Sequence, residues 1–141
     1  MRCLFLTLLF ISLLSCSRDD APTPNNQAPV AFKLLAVGNN ATGVILQPSL
    51  NWEVATDPDG DAVTYRVYLD QNSNPSTEIK SGLTTTNFTL TTALANNTAY
   101  YWKVVATDAK GATTSSNTFK FTTQPAGASN HGSRKKYGEK S

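Results

Sequence analysis

Apolar and polar residues alternate one for one along several short stretches of this chain. Strict alternation is the mark of a strand with one buried and one solvated face, because successive side chains point to opposite sides. The pattern is strongest from Tyr100, where Tyr100, Trp102, Val104 and Ala106 fall on one side and Tyr101, Lys103 and Val105 on the other. A face carrying a Tyr and a Trp has large apolar surfaces to bury, so this strand is expected at the centre of the core. Val63, Tyr65, Val67 and Leu69 alternate with Thr64, Arg66, Tyr68 and Asp70 in a second clean run. Leu50, Trp52 and Val54 alternate with Asn51 and Glu53, Phe119 and Phe121 flank Lys120, and Phe88 and Leu90 mark a further strand. Val30 to Val37 reads as a first strand with Phe32 and Leu34 inward, and Thr77 to Leu83 as a short weak one.

Turn formers separate these runs. Gly38-Asn39-Asn40 and Thr42-Gly43 are expected to break the first strand, and Asp57-Pro58-Asp59-Gly60-Asp61 forms a turn. Asn96-Asn97 turns the chain into the Tyr100 strand, and Asp108-Ala109-Lys110-Gly111 is a hairpin-type connection. The result is an expected all-β domain, a seven-stranded two-sheet Greek-key sandwich.

The order of features resembles the fibronectin type III family, which is immunoglobulin-like in architecture. The resemblance rests on Trp52 in the second strand, Tyr65-x-Val67-x-Leu69 in the third, Leu94 and Tyr100 across a turn, and the closing Phe121-Thr122-Thr123. It implies a tyrosine corner, in which the Tyr100 ring packs inward while its hydroxyl satisfies a backbone group. It also implies that the third and sixth strands share a sheet. Trp102 departs from the family, where that position is usually aliphatic, and Ala106 and Ala62 are the small inward neighbours expected to make room for it. Such motifs specify architecture and say little about function.

Composition changes the picture in one respect. The chain of 141 residues has a formal charge of +2, but from Ala28 to Thr123 six basic residues stand against seven acidic ones. The positive excess lies in the first and last segments, so the body has no basic footprint for nucleic acid. Cys3 and Cys16 both precede the body, which therefore holds no disulfide framework and no cysteine metal site.

The amino terminus reads as an address. Leu4 to Leu14 is an apolar run broken only by Thr7 and Ser12, shorter than the roughly 20 residues a spanning helix needs. Leu13-Leu14-Ser15-Cys16 resembles the bacterial lipobox, in which the cysteine is lipidated and becomes the new amino terminus. Residues 1–15 are then a lipoprotein signal peptide and Cys16 the lipidation site, with membrane lipid as a partner through its acyl chains. Arg18, Asp19 and Asp20 resemble the export signal that sends some Gram-negative lipoproteins to the outer face of the outer membrane. The implied localisation is the outer membrane, lipid-anchored and exposed at the cell surface. Residues 16–28 form a Pro- and Asn-containing linker, 29–123 the domain, and 124–141 a basic tail without apolar groups to bury.

No catalytic constellation emerges, so no enzyme activity and no cofactor are expected. The single histidine, His131, lies in the tail, where no Ser-His or Cys-His pair can be held rigidly. Asp57, Asp59 and Asp61 offer oxygens of the kind Ca²⁺ takes, but their spacing lacks the downstream Glu of an EF-hand, and a tight turn accounts for each of them. No metal is therefore assigned, and a Ca²⁺-stabilised sandwich of the polycystic-kidney or cadherin-like type stays as an alternative. If the third and sixth strands pair, Arg66 and Tyr68 lie beside Tyr101 and Lys103 on the outward face, a candidate platform for a glycan or protein partner. Tyr is also a good strand former, and cross-strand aromatic pairs stabilise sheets without any ligand. The expected protein is a monomeric, lipid-anchored display of an interaction or spacer module. The alternative is an accessory module of a surface enzyme whose catalytic part is missing from this chain.

Overall fold

The computed structural model describes residues 25–128. Nine strands run through them: β1 (Leu34–Ala36), β2 (Ala41–Val44), β3 (Ser49–Trp52), β4 (Thr64–Asp70), β5 (Glu78–Leu83), β6 (Asn87–Thr89), β7 (Ala99–Thr107), β8 (Thr113–Ser115) and β9 (Phe119–Thr123). One sheet has the order β1-β3-β6; the other has the order β2-β9-β7-β4-β5, with β8 also on β7. The fold is the all-β two-sheet sandwich that the alternation predicts.

Seven expected strands become nine because two short ones, β2 and β8, form in stretches where alternation marks no strand. The Gly38–Gly43 stretch breaks β1 as expected, but the chain does not stay irregular. Between Ala36 and Ala41 the chain crosses to the other sheet, with Asn40 in left-handed backbone at φ 62° just before β2, and β2 runs parallel to β9 with a register shift around the left-handed Gly43 at φ 65°. At the far end β8 and β9 lie along the same side of β7, β8 against Val105–Thr107 and β9 against Ala99–Trp102. Between them the Ser116 N–H donates to the Val104 carbonyl at 2.9 Å, and the Ser116 hydroxyl accepts from the Val104 N–H at 3.0 Å. A side chain thus stands in for one backbone acceptor, and the ladder is carried across the interruption.

β7 is the organising strand. Tyr100, Trp102, Val104 and Ala106 are buried, while Tyr101, Lys103 and Val105 are half-exposed, as the alternation requires. Trp102 meets Phe119 edge-on at 6.2 Å, Tyr100 stacks on Phe121 at 6.0 Å, and Trp52 meets Tyr65 edge-on at 5.6 Å. These pairs, with Leu50, Val67 and Leu69, fill the space between the sheets. Ala106 is buried on the same face of β7 as Trp102, but Ala62 is exposed and contributes nothing inward. Val54 also departs from expectation. β3 ends at Trp52 and Val54 is 70 % exposed, because the chain leaves the sheet there and Ala55 takes the inward place. The Ala55 N–H donates to the buried Tyr65 hydroxyl at 2.9 Å, which supports that exit.

The corner before β7 is closed by two side chains. The Ala95 N–H donates to the Tyr100 hydroxyl at 3.2 Å, and the Thr123 hydroxyl donates to the Ala95 carbonyl at 2.6 Å. Tyr100→Phe should therefore cost about 1–3 kcal/mol, because it strands a part-buried N–H. Tyr101→Phe, on the outward face, should change stability by less than about 0.5 kcal/mol. Urea melts of both variants check the pair; equal losses would put the strand in the wrong phase.

Candidate functional site

The outward face of the six-stranded sheet is built by the central three strands and the β5 edge. β4 and β7 are antiparallel in an unbroken register from Thr64↔Thr107 to Asp70↔Tyr101. That register sets Tyr68 opposite Lys103, and β9 sets Lys120 opposite Tyr101. On the other flank Tyr68 faces Glu78 of β5. Arg66, Tyr68, Tyr101 and Lys103 thus share one face, as the sequence predicts, and all four are half-buried.

The side chains on this face hold one another in place. Lys103 Nζ lies 5.6 Å from the Tyr68 ring centroid and donates to Asn74 Oδ1 at 3.1 Å. Lys120 Nζ lies 5.9 Å from the Tyr101 ring centroid. The Tyr68 hydroxyl donates to Glu78 Oε2 at 3.3 Å, and Arg66 Nη2 donates to Thr107 Oγ1 at 3.4 Å. Each tyrosine is therefore covered by an ammonium, an arrangement that contributes about 0.5–1 kcal/mol where it is exposed. A ligand ring stacking on either phenol must displace that cation at a comparable cost, which is small beside the energy of a binding hot spot. Lys120 and Glu78 belong to the site although alternation alone does not select them. Both needed the register of neighbouring strands, which no local period encodes.

Asp70 anchors the loop that overhangs this face. Its carboxylate accepts from the N–H groups of Asn72 at 2.7 Å, Ser76 at 2.8 Å and Thr77 at 3.0 Å. These bonds, that from Ser76 foremost, lower its pKa to about 2. A carboxyl whose folded value lies below its unfolded one contributes stability that is complete above about pH 4. That contribution is lost as pH falls toward about 2. Asp70→Asn should therefore show a smaller drop in melting temperature between about pH 5 and about pH 2.5 than the native chain does. Identical acid profiles would contradict this role.

A second polar cluster lies at one pole. Asp57, Asp59 and Asp61, in the turn between β3 and β4, each place an oxygen within 4.8 Å of the others. Asp108, 5 % exposed, starts the β7–β8 turn. Burial alone would raise its pKa, but hydrogen bonds from the Asn26 side chain and from the N–H groups of Ala112 and Lys110 hold it below the ordinary value. The end of the expected linker reaches this pole, with the Gln27 N–H donating to Asp59 Oδ2 at 2.7 Å. At the other end, Gln124 pairs with Val44 and Asn97 through its backbone. Cys16, Arg18, Asp19 and Asp20, the signal peptide 1–15 and residues 129–141 of the tail lie outside the described residues.

A family model described as the Rha78A-like, N-terminal immunoglobulin domain matches residues 38–125. The chain belongs to this family. The match begins in the turn before β2 and ends just beyond β9, so it takes in every strand but β1. Among solved structures, the sixth fibronectin type III domain of human fibronectin type III domain containing protein 3 is similar at 18 % identity and a TM-score of 0.54, over 78 % of this chain and 96 % of that one. Another solved structure, of the fibronectin type III domain of human fibronectin type III domain containing protein 3, is similar at 21 % identity and a TM-score of 0.51, over 80 % of this chain and 99 % of that one. A Fn3-like protein from Clostridium thermocellum is 28 % identical with a TM-score of 0.47, over 68 % of this chain and 91 % of that one. No curated protein matches the sequence. The human likenesses establish the fold, and domains of this fold are typically non-catalytic.

Proposed function

We propose that this protein is a lipid-anchored cell-surface protein that presents its immunoglobulin-like domain as a non-catalytic binding module. The face built around Tyr68 and Tyr101 is the surface that meets a glycan or protein partner. The carrying observation is the convergence of two tyrosines and three cations, Arg66, Lys103 and Lys120, on three adjacent strands. Aromatic and Arg side chains are enriched where protein surfaces bind. The anchor rests on the sequence alone, on Cys16 after Leu13-Leu14-Ser15. Cys16→Ala should abolish detergent-phase partitioning and palmitate labelling, since two or three acyl chains anchor far more firmly than one. A variant still labelled and membrane-bound contradicts the anchor.

A second reading is favoured by the family's own description, which places the domain at the N-terminal side of Rha78A-like proteins. The module would then be an accessory of a surface enzyme. Sequencing the gene beyond the codon for Ser141 decides between the two: a continuing frame with a catalytic domain supports the accessory reading, and a stop codon supports the stand-alone module.

A further inference from the structure

The Asp57–Asp61 turn carries more negative charge than its hydrogen bonds require. Asp57 is 7 % exposed, and its Oδ1 accepts the N–H groups of Asp59 at 3.0 Å and Asp61 at 3.1 Å. Those two bonds close the turn. They leave Asp57 Oδ2 fully buried with no donor. A buried charged oxygen without a partner is costly, and natural structures avoid it unless an ion or water supplies what the protein does not. Nearby, Asn26 spends its amide on Asp108 at 2.7 Å and leaves its own Oδ1 buried and unpartnered. Both orphans are acceptors, so what is missing is positive charge or a donor.

Lys110 is the cation paired with this turn. Its Nζ stands 2.8 Å from Asp61 Oδ2, and its side chain is 56 % exposed. One ammonium on a long, exposed stem cannot neutralise three carboxylates whose oxygens all lie within 4.8 Å of each other. Calcium binds oxygen at about 2.3–2.6 Å, so oxygens on opposite sides of it stand about 4.6–5.2 Å apart, which is the span of this cluster.

We propose that the Asp57–Asp61 turn binds a hard divalent cation of the Ca²⁺ class, with the carboxylates of Asp57, Asp59 and Asp61 as protein ligands and Lys110 as the ammonium it displaces. Water completes a coordination shell that such a cation takes readily with six to eight oxygens. The smaller Mg²⁺ demands tighter octahedral geometry and dehydrates reluctantly, so it binds more weakly. Because Asp59 also accepts from Gln27, the cation fastens the segment by which the chain enters the domain. This inference is independent of the tyrosine face.

The test uses the full chain in detergent, stripped with EDTA and then titrated with CaCl₂ or MgCl₂. At a hundredfold excess over the dissociation constant, binding to the folded state should raise the melting temperature by about 10 °C or more. Asp59→Asn, which keeps an acceptor for Gln27, should melt like the native chain in EDTA but lose most of the calcium shift. Lys110→Ala should reach its full shift at a lower calcium concentration. Calorimetric titration with CaCl₂ should independently report one site, which covers the case of a variant that folds poorly. A native melting temperature indifferent to about 10 mM CaCl₂, or an equal shift in Asp59→Asn, overturns the proposal.

Discussion

Trp102→Ala is expected to destabilise this protein by about 3–5 kcal/mol, the range for deleting a large aromatic from a packed core. Trp102 is fully buried on the strand that both β4 and β9 pair with, and its ring meets Phe119 edge-on. Its removal leaves a cavity in the core cluster between the sheets, and the paired backbone of β7 cannot collapse far to fill the gap. Domains of this size have a total stability of only about 5–15 kcal/mol, so the variant should sit near the edge of unfolding. With no cysteine in the body to form a disulfide, nothing covalent compensates. The midpoint of urea unfolding should fall sharply while the slope stays unchanged. A loss under about 1.5 kcal/mol, the range for volume-conserving swaps, would mean that the core does not depend on this ring.

The second large effect concerns binding. Tyr68→Ala together with Tyr101→Ala should weaken partner binding by about thirtyfold or more, since truncating a hot-spot side chain typically costs about 2 kcal/mol. Both rings are half-buried on the outward face, so their loss leaves the inner core intact. Folding should lose only the cation–π contacts with Lys103 and Lys120 and the sheet pairing, about 1 kcal/mol in total. The asymmetry between the two losses separates a binding face from strand filler.

Much of this architecture is legible in the chain because it is local. Tyr100 to Ala106 states its own phase, and the Leu94/Tyr100 spacing announces a corner that the Ala95 hydrogen bond closes. What escapes is non-local. β2 has no alternation to reveal it, since Ala41-Thr42-Gly43-Val44 forms a strand only by lying parallel to β9. β8 is Thr113-Thr114-Ser115, a polar piece held by the edge of β7. Val54 fits the period of β3, yet the chain has already turned out of the sheet. The outward face was half legible for the same reason. Tyr68 and Tyr101 follow from alternation, whereas Lys120 over Tyr101 and Glu78 beside Tyr68 follow from register. Nor does the polar string Asp57-Pro58-Asp59-Gly60-Asp61 disclose that its first carboxylate is buried, because that burial comes from the surrounding fold.

The central claim is that the β4–β7 face binds a partner, and one measurement tests it most directly. Glycan and protein arrays, or whole cells, are probed with the native protein, and any ligand found is then titrated against the Tyr68→Ala, Tyr101→Ala protein at matched folded fraction. The account predicts a ligand for the native chain and about a thirtyfold or greater loss of affinity in the double variant. Undiminished binding by the double variant, or no ligand for the native chain at all, would contradict it and leave the domain as a spacer.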